Sequence, residues 1–481
     1  MPVSRVLPLL LVFGFAVTQS VQAQPAKKPV DDKFRTYRLE AKQTGEQSNK
    51  VNQMKNGSVN LDPPSAEDKA ALLEVARNYV YPVTHQEYYF TPDGPELVAR
   101  TGESRSPATI LRNFRAQLLL PLPASPTTTQ LAYIREFGAA AVAAIDEVLA
   151  KSPPSVIRIN ALQLLVAVAE TGAPAAFDRT VSLLQTKDEP NHPLEVLYYA
   201  LNAAEGALGA YDPARGTKWV NKTKHYQLVC LVDDVVQKVP ACVIEKAYIP
   251  DKPVGEASLT TDPKSKPAEG SLTPEQVDVA QIFRLQAIRA LAKVRTDIVT
   301  NDTLDKERRP LFTLCRVAVS DPALVPAPSV KELGEAVIGL GTMVPSESVN
   351  ADVLGLVIAK GVSDFILEKS ASGRVLNKDD VQRTHWKLYG MRLKNAYTAW
   401  EQSIQKTKLP KAAKDTLSGI AQIGVTAVFD PLTKQTENGT VNLDKAAVDN
   451  WYTNRFNAMK GAFDLYTDKP DFKIVGSVRR Q

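Results

Sequence analysis

Proline punctuates this chain at intervals that fix the length of nearly every helix it can make. From Leu131 to Lys151, small and aliphatic residues (Ile134, Ala141, Val142, Ile145, Val148 and Leu149) recur at helical spacing until Pro153-Pro154 stops them. Val156 to Thr171 carries a second stripe through Ile157, Ala161, Leu164, Leu165 and Val168. Pro174 opens a third helix at its first turn, where a missing amide costs nothing, and that helix runs to about Gln185 with Phe177, Val181 and Leu184 inward. After Pro190 and Pro193 a fourth covers Leu194 to Leu208. The starts fall about 18 to 20 residues apart, so a helix pair occupies roughly 40 residues, a length typical of stacked helical repeats. Such a pair leaves an apolar face that only the next pair can bury.

The rhythm resumes further on. Thr273 caps a helix over 274–294 in which Val279, Ile282, Phe283, Ala287, Ala290, Leu291 and Val294 form one continuous stripe. Pro310 to Val319, Val330 to Leu340 and Ala351 to Lys360 follow it. The C-terminal third predicts longer helices over Lys378 to Lys406, Lys411 to Val428 and Leu443 to Tyr466. Tyr226 to Val243 is rich in valine and reads as strand or helix. Helix is favoured, because Val229, Val232, Val235, Val236 and Val239 also fit helical spacing.

Val156-Ile157-Arg158-Ile159-Asn160-Ala161, followed by Leu164-Leu165 and Gly172, resembles the second-helix signature of a HEAT repeat. Phe283-Arg284-Leu285-Gln286-Ala287-Ile288-Arg289-Ala290-Leu291 resembles another copy. The resemblance covers residues 130–210 and 273–360. It implies an all-α chain, an armadillo-like helical-repeat superhelix with a more irregular helical C-terminal part. In that family the arginine and small-residue positions are structural, and no catalytic residue carries over.

The ends and joints of the chain are of another kind. Arg5, the apolar run Val6 to Val17 and the small-residue exit at Val21-Gln22-Ala23 predict a secretory signal peptide over residues 1–23. Its apolar core is shorter than the roughly 20 residues of a membrane-spanning helix, and no second long apolar run predicts a span in the mature chain. Residues 24–64 are polar and predict a disordered or loosely attached arm. A helical-repeat region over 65–249 follows. The proline-rich stretch 250–273 reads as a linker or loop, a second repeat region covers 274–370, and a helical C-terminal region covers 371–481. Bacterial export is the expected address.

Candidate chemistry is sparse. Cys230, Cys242 and Cys315 are too few for a disulfide framework and read as free thiols. His85, His192, His225 and His385 are scattered, so no metal site and no cofactor is expected. Asp233-Asp234 read as ordinary surface carboxylates, because neighbours on a helix point about 100° apart. Ser403-Ile404-Gln405-Lys406 fits the SxxK pattern without its companion motifs. The densest polar group is His85, Glu87, Tyr88 and Tyr89, with no constellation to make it a site.

One charged face has content. Arg374 to Asp415 holds ten Lys or Arg against four acids. Within it Arg383, Trp386, Lys387, Tyr389, Arg392, Lys394, Tyr397 and Trp400 interleave cations with aromatic platforms that suit an anionic polymer. The same spacing fits a helix whose aromatics are buried and whose lysines are solvated. A formal charge of +5 over 481 residues does not call for nucleic acid. The expected function is a non-enzymatic, exported scaffold or protein-binding module that holds a protein or peptide partner. The alternative is a binder or processing enzyme of an anionic envelope glycan, working through a helical cleft or the 374–415 face.

Overall fold

The computed structural model describes residues 36–474 except 86–87, 90–105, 124–125, 190–191, 212–219, 221, 247–271, 302–305, 365–380, 435–442, 460–462 and 469–472. The expected signal peptide and the proline-rich stretch 250–271 lie outside these residues. The described chain is mostly helical, as expected, and its only named strands are two of three residues each.

Helix starts follow the caps. Thr44, Ser65, Thr127, Thr273 and Ser329 each close a capping box, in which the side chain accepts the third amide and the third residue answers. The helices are α1 (Gly45–Lys55), α2 (Ala66–Val80), α3 (Pro107–Gln117), α4 (Thr128–Leu149), α5 (Ser155–Ala169), α6 (Pro174–Gln185), α7 (Leu194–Ala210), α8 (Lys222–Gln237) and α9 (Ala241–Lys246). Then come α10 (Pro274–Leu291), the antiparallel hairpin β1 (Val299–Asn301) and β2 (Lys306–Arg308), α11 (Pro310–Ala318), α12 (Val330–Leu340) and α13 (Ala351–Val362). α14 (Val381–Gln405) and α15 (Lys411–Gly424) lead to a π-helical turn at Val425–Phe429, and α16 (Lys445–Ala458) is the last helix.

Packing runs between neighbours. One file is α2, α4, α6, α8, α11 and α13, each helix against the next. A second file, α3, α5, α7, α10, α12 and α14, lies against it, with α4 on α5, α6 on α7, α8 on α10 and α11 on α12. Ion pairs or polar bonds join most successive members. In the first file Arg77 reaches Glu147, Arg179 pairs Asp146 at 2.7 Å, Lys224 pairs Asp178 at 2.5 Å, and Arg316 donates to Gln237 at 3.2 Å. In the second, Arg115 pairs Glu170 at 2.6 Å, Arg158 pairs Glu195 at 2.9 Å, and Lys293 lies 3.5 Å from Glu205. Arg284 then grips Glu332 at 2.5 Å, and Glu335 takes Arg289 at 2.9 Å and Arg392 at 2.6 Å. The arginines of both repeat-like stretches are thus inter-helix ties. Most of these pairs are part-exposed and set register more than they stabilise; Arg284–Glu332 is fully buried.

Two expectations need correction. The stretch 24–64 is not a loose arm where it is described. Val51 and Met54 of α1 and Leu61 are buried, and α1 packs on α2 and α4. Further ahead, the Leu39 amide donates to Thr84 at 3.0 Å, and the Leu39 carbonyl lies 2.7 Å from His85 Nε2. Few apolar residues suffice here, because each one is spent on a surface already built.

The last expected helix, Leu443 to Tyr466, ends at Ala458, and residues 463–468 form an extended strap. Val349 and Tyr466 pair antiparallel, the Asn350 amide donates to Leu465 O at 2.8 Å, and the Thr467 amide donates to Ser348 O at 2.8 Å. These bonds seat the Tyr466 ring in the core under the Arg309 guanidinium, 4.0 Å away, and Arg309 also pairs Asp468 at 3.2 Å. A helix through 466 would forfeit that burial.

Candidate functional site

The basic, aromatic-rich face resolves into core and rim. Tyr389, Leu393, Tyr397, Trp400 and Ile404 lie on one stripe of α14 and are buried, so Tyr389, Tyr397 and Trp400 are not platforms for a ligand. The Tyr397 hydroxyl donates to Val337 O at 2.9 Å, and the Trp400 indole donates to Met343 O at 2.5 Å. Arg392 is committed to Glu335, with Nη1 and Nη2 at 2.7 and 2.6 Å from its two oxygens, and Lys394 pairs Asp430 at 2.5 Å. Burial alone would push the Glu335 carboxyl up, but the Arg392 hydrogen bonds and the charge of Arg289 outweigh it and hold the carboxyl below the usual range. Trp386 is half-buried and Lys387 exposed, while the Arg383 side chain lies outside the described residues. The candidate face therefore loses its buried aromatics and the paired Arg392 and Lys394, while Lys387, Lys406, Lys408 and Lys411 stay exposed.

The other sequence candidates also fall apart. His85 serves the Leu39 contact, Tyr89 donates to Val83 O at 2.7 Å, and Glu87 is outside the described residues. Asp233 is buried, contrary to its expected surface position. Gln237 donates to it at 2.7 Å and Arg308 lies 3.3 Å away, so a cation from the β-hairpin offsets part of the burial, which still holds the carboxyl above its usual range. Ser403 donates to Ala399 O, within its own helix. No disulfide joins Cys230, Cys242 and Cys315, and Cys230 is half-buried.

The feature that sequence reasoning missed is a cleft of about 1080 Å³ where three helices of the second file end. α5 stops at the Glu170 cap, and Gly172, at φ +76°, turns the chain toward Pro174. α7 ends at Ala210, and α10 at Leu291 before Val294 and Arg295. Gly206 lets α7 approach the end of α5, since a Cβ there would stand 3.0 Å from the Glu170 amide nitrogen. Val166, Phe177, Lys222 and His225 complete the wall beside Val299 and Thr300 of β1.

The charges of this lining nearly cancel. Glu170 and Glu205 face Lys222, Lys293 and Arg295, and three helix carboxyl ends add partial negative charge worth about half an elementary charge each. Glu170 is tied to Arg115, and Glu205 accepts from Gln286 at 2.8 Å. His225 is 6 % exposed and stacks on Tyr211 with ring centroids 3.8 Å apart. Its buried Nε2 has no hydrogen-bond partner among the described residues. Burial pushes the His225 pKa down to about 4, so the ring is neutral across ordinary pH. The arrangement offers hydrogen bonding and shape and lacks a nucleophile joined to a base. Nothing in local composition marks His225 as different from the other three histidines; only the fold brings it to the cleft.

Among the described residues no group of three or more His, Cys, Asp or Glu is placed to hold a metal ion, and no helix is long and apolar enough to cross a membrane. Comparison with known protein families, with curated proteins and with solved structures finds no match to this chain.

Proposed function

We propose that this chain is an exported, non-enzymatic helical-repeat module that binds a protein or peptide partner in the bacterial periplasm or envelope. The observation that carries the reading is the neighbour-to-neighbour packing of two helix files, with an open cleft where three helices of the second file end. Stacked helix pairs of the HEAT kind give long surfaces without needing chemistry, and their arginine positions are structural, as Arg158, Arg284 and Arg289 are here. The polyanion alternative loses the aromatic platforms of the 374–415 face, where Tyr389, Tyr397 and Trp400 are buried and Arg392 and Lys394 are paired internally, and keeps only its outer lysines.

The test is expression of the whole chain in a bacterium, followed by fractionation, N-terminal sequencing and co-purification from the envelope fraction. The expected outcome is a mature chain that begins at Gln24 and carries a stoichiometric protein partner. A cytoplasmic, unprocessed chain, or an exported monomer that retains no partner, would overturn it.

A further inference from the structure

We propose that the exposed face of α14 around Leu388 and Met391, with the Arg289–Arg392 pair beside it, docks a short acidic segment of a protein partner that carries apolar side chains next to its carboxylates. This rests on the reading of the chain as a protein-binding module and names the partner's chemistry and its place.

Three observations converge. The first is geometric. At about 100° per residue, Lys387, Leu388, Met391 and Arg392 lie within one arc of α14 of about 140°, opposite the buried stripe of Tyr389, Leu393 and Tyr397. The second is apolar exposure. Among the described residues five large apolar side chains are exposed, and only Leu388, at 54 %, and Met391, at 47 %, share a helix. The third is charge. Arg289 of α10 and Arg392 both turn onto Glu335 of α12, which is 2 % exposed, while each arginine side chain stays at least about a third exposed. Glu335 accepts from Arg289, from Arg392 twice and from Tyr389, so its acceptor positions are filled. Two cations on one carboxylate leave one positive charge, and exposed Lys387 adds another. The Glu205 charge of α7, which also reaches Arg392, is offset by Lys293 at 3.5 Å.

The combination selects the occupant. Arg289 gives Glu335 one of its five N–H donors, so its fork keeps donors for an incoming carboxylate. A sulfated glycan brings the anion and nothing to cover Leu388 and Met391. An anionic bilayer covers those two, but guanidiniums held down on a buried carboxylate do not reach its headgroups. A peptide that sets an acidic side chain beside leucine meets both demands.

The probe is a short fluorescent peptide of repeating Glu and Leu, with its Gln-for-Glu analogue, titrated against the full mature chain. Sulfated dextran and phosphatidylglycerol vesicles are titrated in parallel. Leu388→Ser with Met391→Ser removes the apolar pair at exposed positions, where the core does not depend on it. Arg289→Gln removes one cation and leaves Glu335 its two bonds from Arg392. Lys445→Ala, an exposed cation on α16, is the control.

Saturable binding of the Glu peptide is expected, about tenfold tighter than that of the Gln analogue. The double variant and Arg289→Gln should each weaken it about tenfold, and Lys445→Ala leave it unchanged. Raising salt from about 0.05 to 0.5 M should weaken it severalfold, since a net charge is screened. No binding of the Glu peptide, equal binding of the two peptides, or binding that survives both variants would overturn the site. Vesicle or dextran binding that exceeds peptide binding and falls with the variants would reassign the face to lipid or glycan and overturn the inference. Co-purification from the envelope, repeated with the double variant, is read separately. A partner retained by that variant overturns this site and leaves the protein-binding reading standing; no partner on either chain overturns both.

Discussion

Individual side chains carry more of this molecule's specificity than its composition suggests. Glu332 closes the Ser329 capping box of α12 and is the buried partner of Arg284. Glu332→Ala strands a guanidinium in the core, and a loss of about 3–5 kcal/mol is expected in urea denaturation. Replacing both partners by apolar residues, Arg284→Met with Glu332→Leu, should recover most of it, leaving mainly the lost cap of about 1 kcal/mol. His225 predicts a pH dependence. Its folded pKa of about 4 is below the ordinary 6.5, so between those values the unfolded chain binds a proton that the folded chain refuses. Stability is therefore full above pH 6.5 and falls as pH drops toward 4, by on the order of 3 kcal/mol. His225→Phe should flatten this part of the curve, which denaturation at a series of pH values would show; an unchanged slope would assign it to other groups.

At the level of helices and turns, the sequence is legible where local signals act. Pro174, Thr273 and Ser329 mark helix starts, and the expected spans at Pro174–Gln185 and Val330–Leu340 coincide with the observed ones. The valine-rich stretch is helical, and the aromatic stripe of α14 faces α12 as its spacing permits. What was illegible depends on distant residues. Asp233 is buried because Arg308 arrives from a hairpin 75 residues later. The strap at 463–468 is extended because residues 348–350 supply its partners. The cleft requires three helix ends that local pattern places but cannot bring together. Gly172 is the turn on which one of those ends depends. Gly172→Ala would place a Cβ at φ +76° and 3.2 Å from Ala210 Cβ, and should cost about 1–2 kcal/mol by thermal or chemical unfolding. A neutral outcome would mean that the turn relaxes.

Across the whole molecule, one continuous apolar core runs from Val51 to Ile474, and the three expected regions 65–249, 274–370 and 371–481 all contribute to it. A chain cut after residue 246 would bare the faces of α7 and α8 that α10 covers. It should bind more hydrophobic dye than the full chain and self-associate more, as sedimentation would show; a dispersed, dye-free fragment would mean that the first files close on themselves. The strap extends this dependence to the order in which the protein is made. Leu465, Tyr466 and Asp468 are among the last described residues, yet they complete the surroundings of Asn350, Asp297 and Arg309 in the middle of the chain. A polypeptide that emerges amino end first can assemble α2 to α8 as it appears. Its centre stays open until the strap at 463–468 has left the ribosome and returned. The finishing step is thus reserved for chains that reach residue 468, and a product stopped after Ala458 would have every described helix and an unfinished middle.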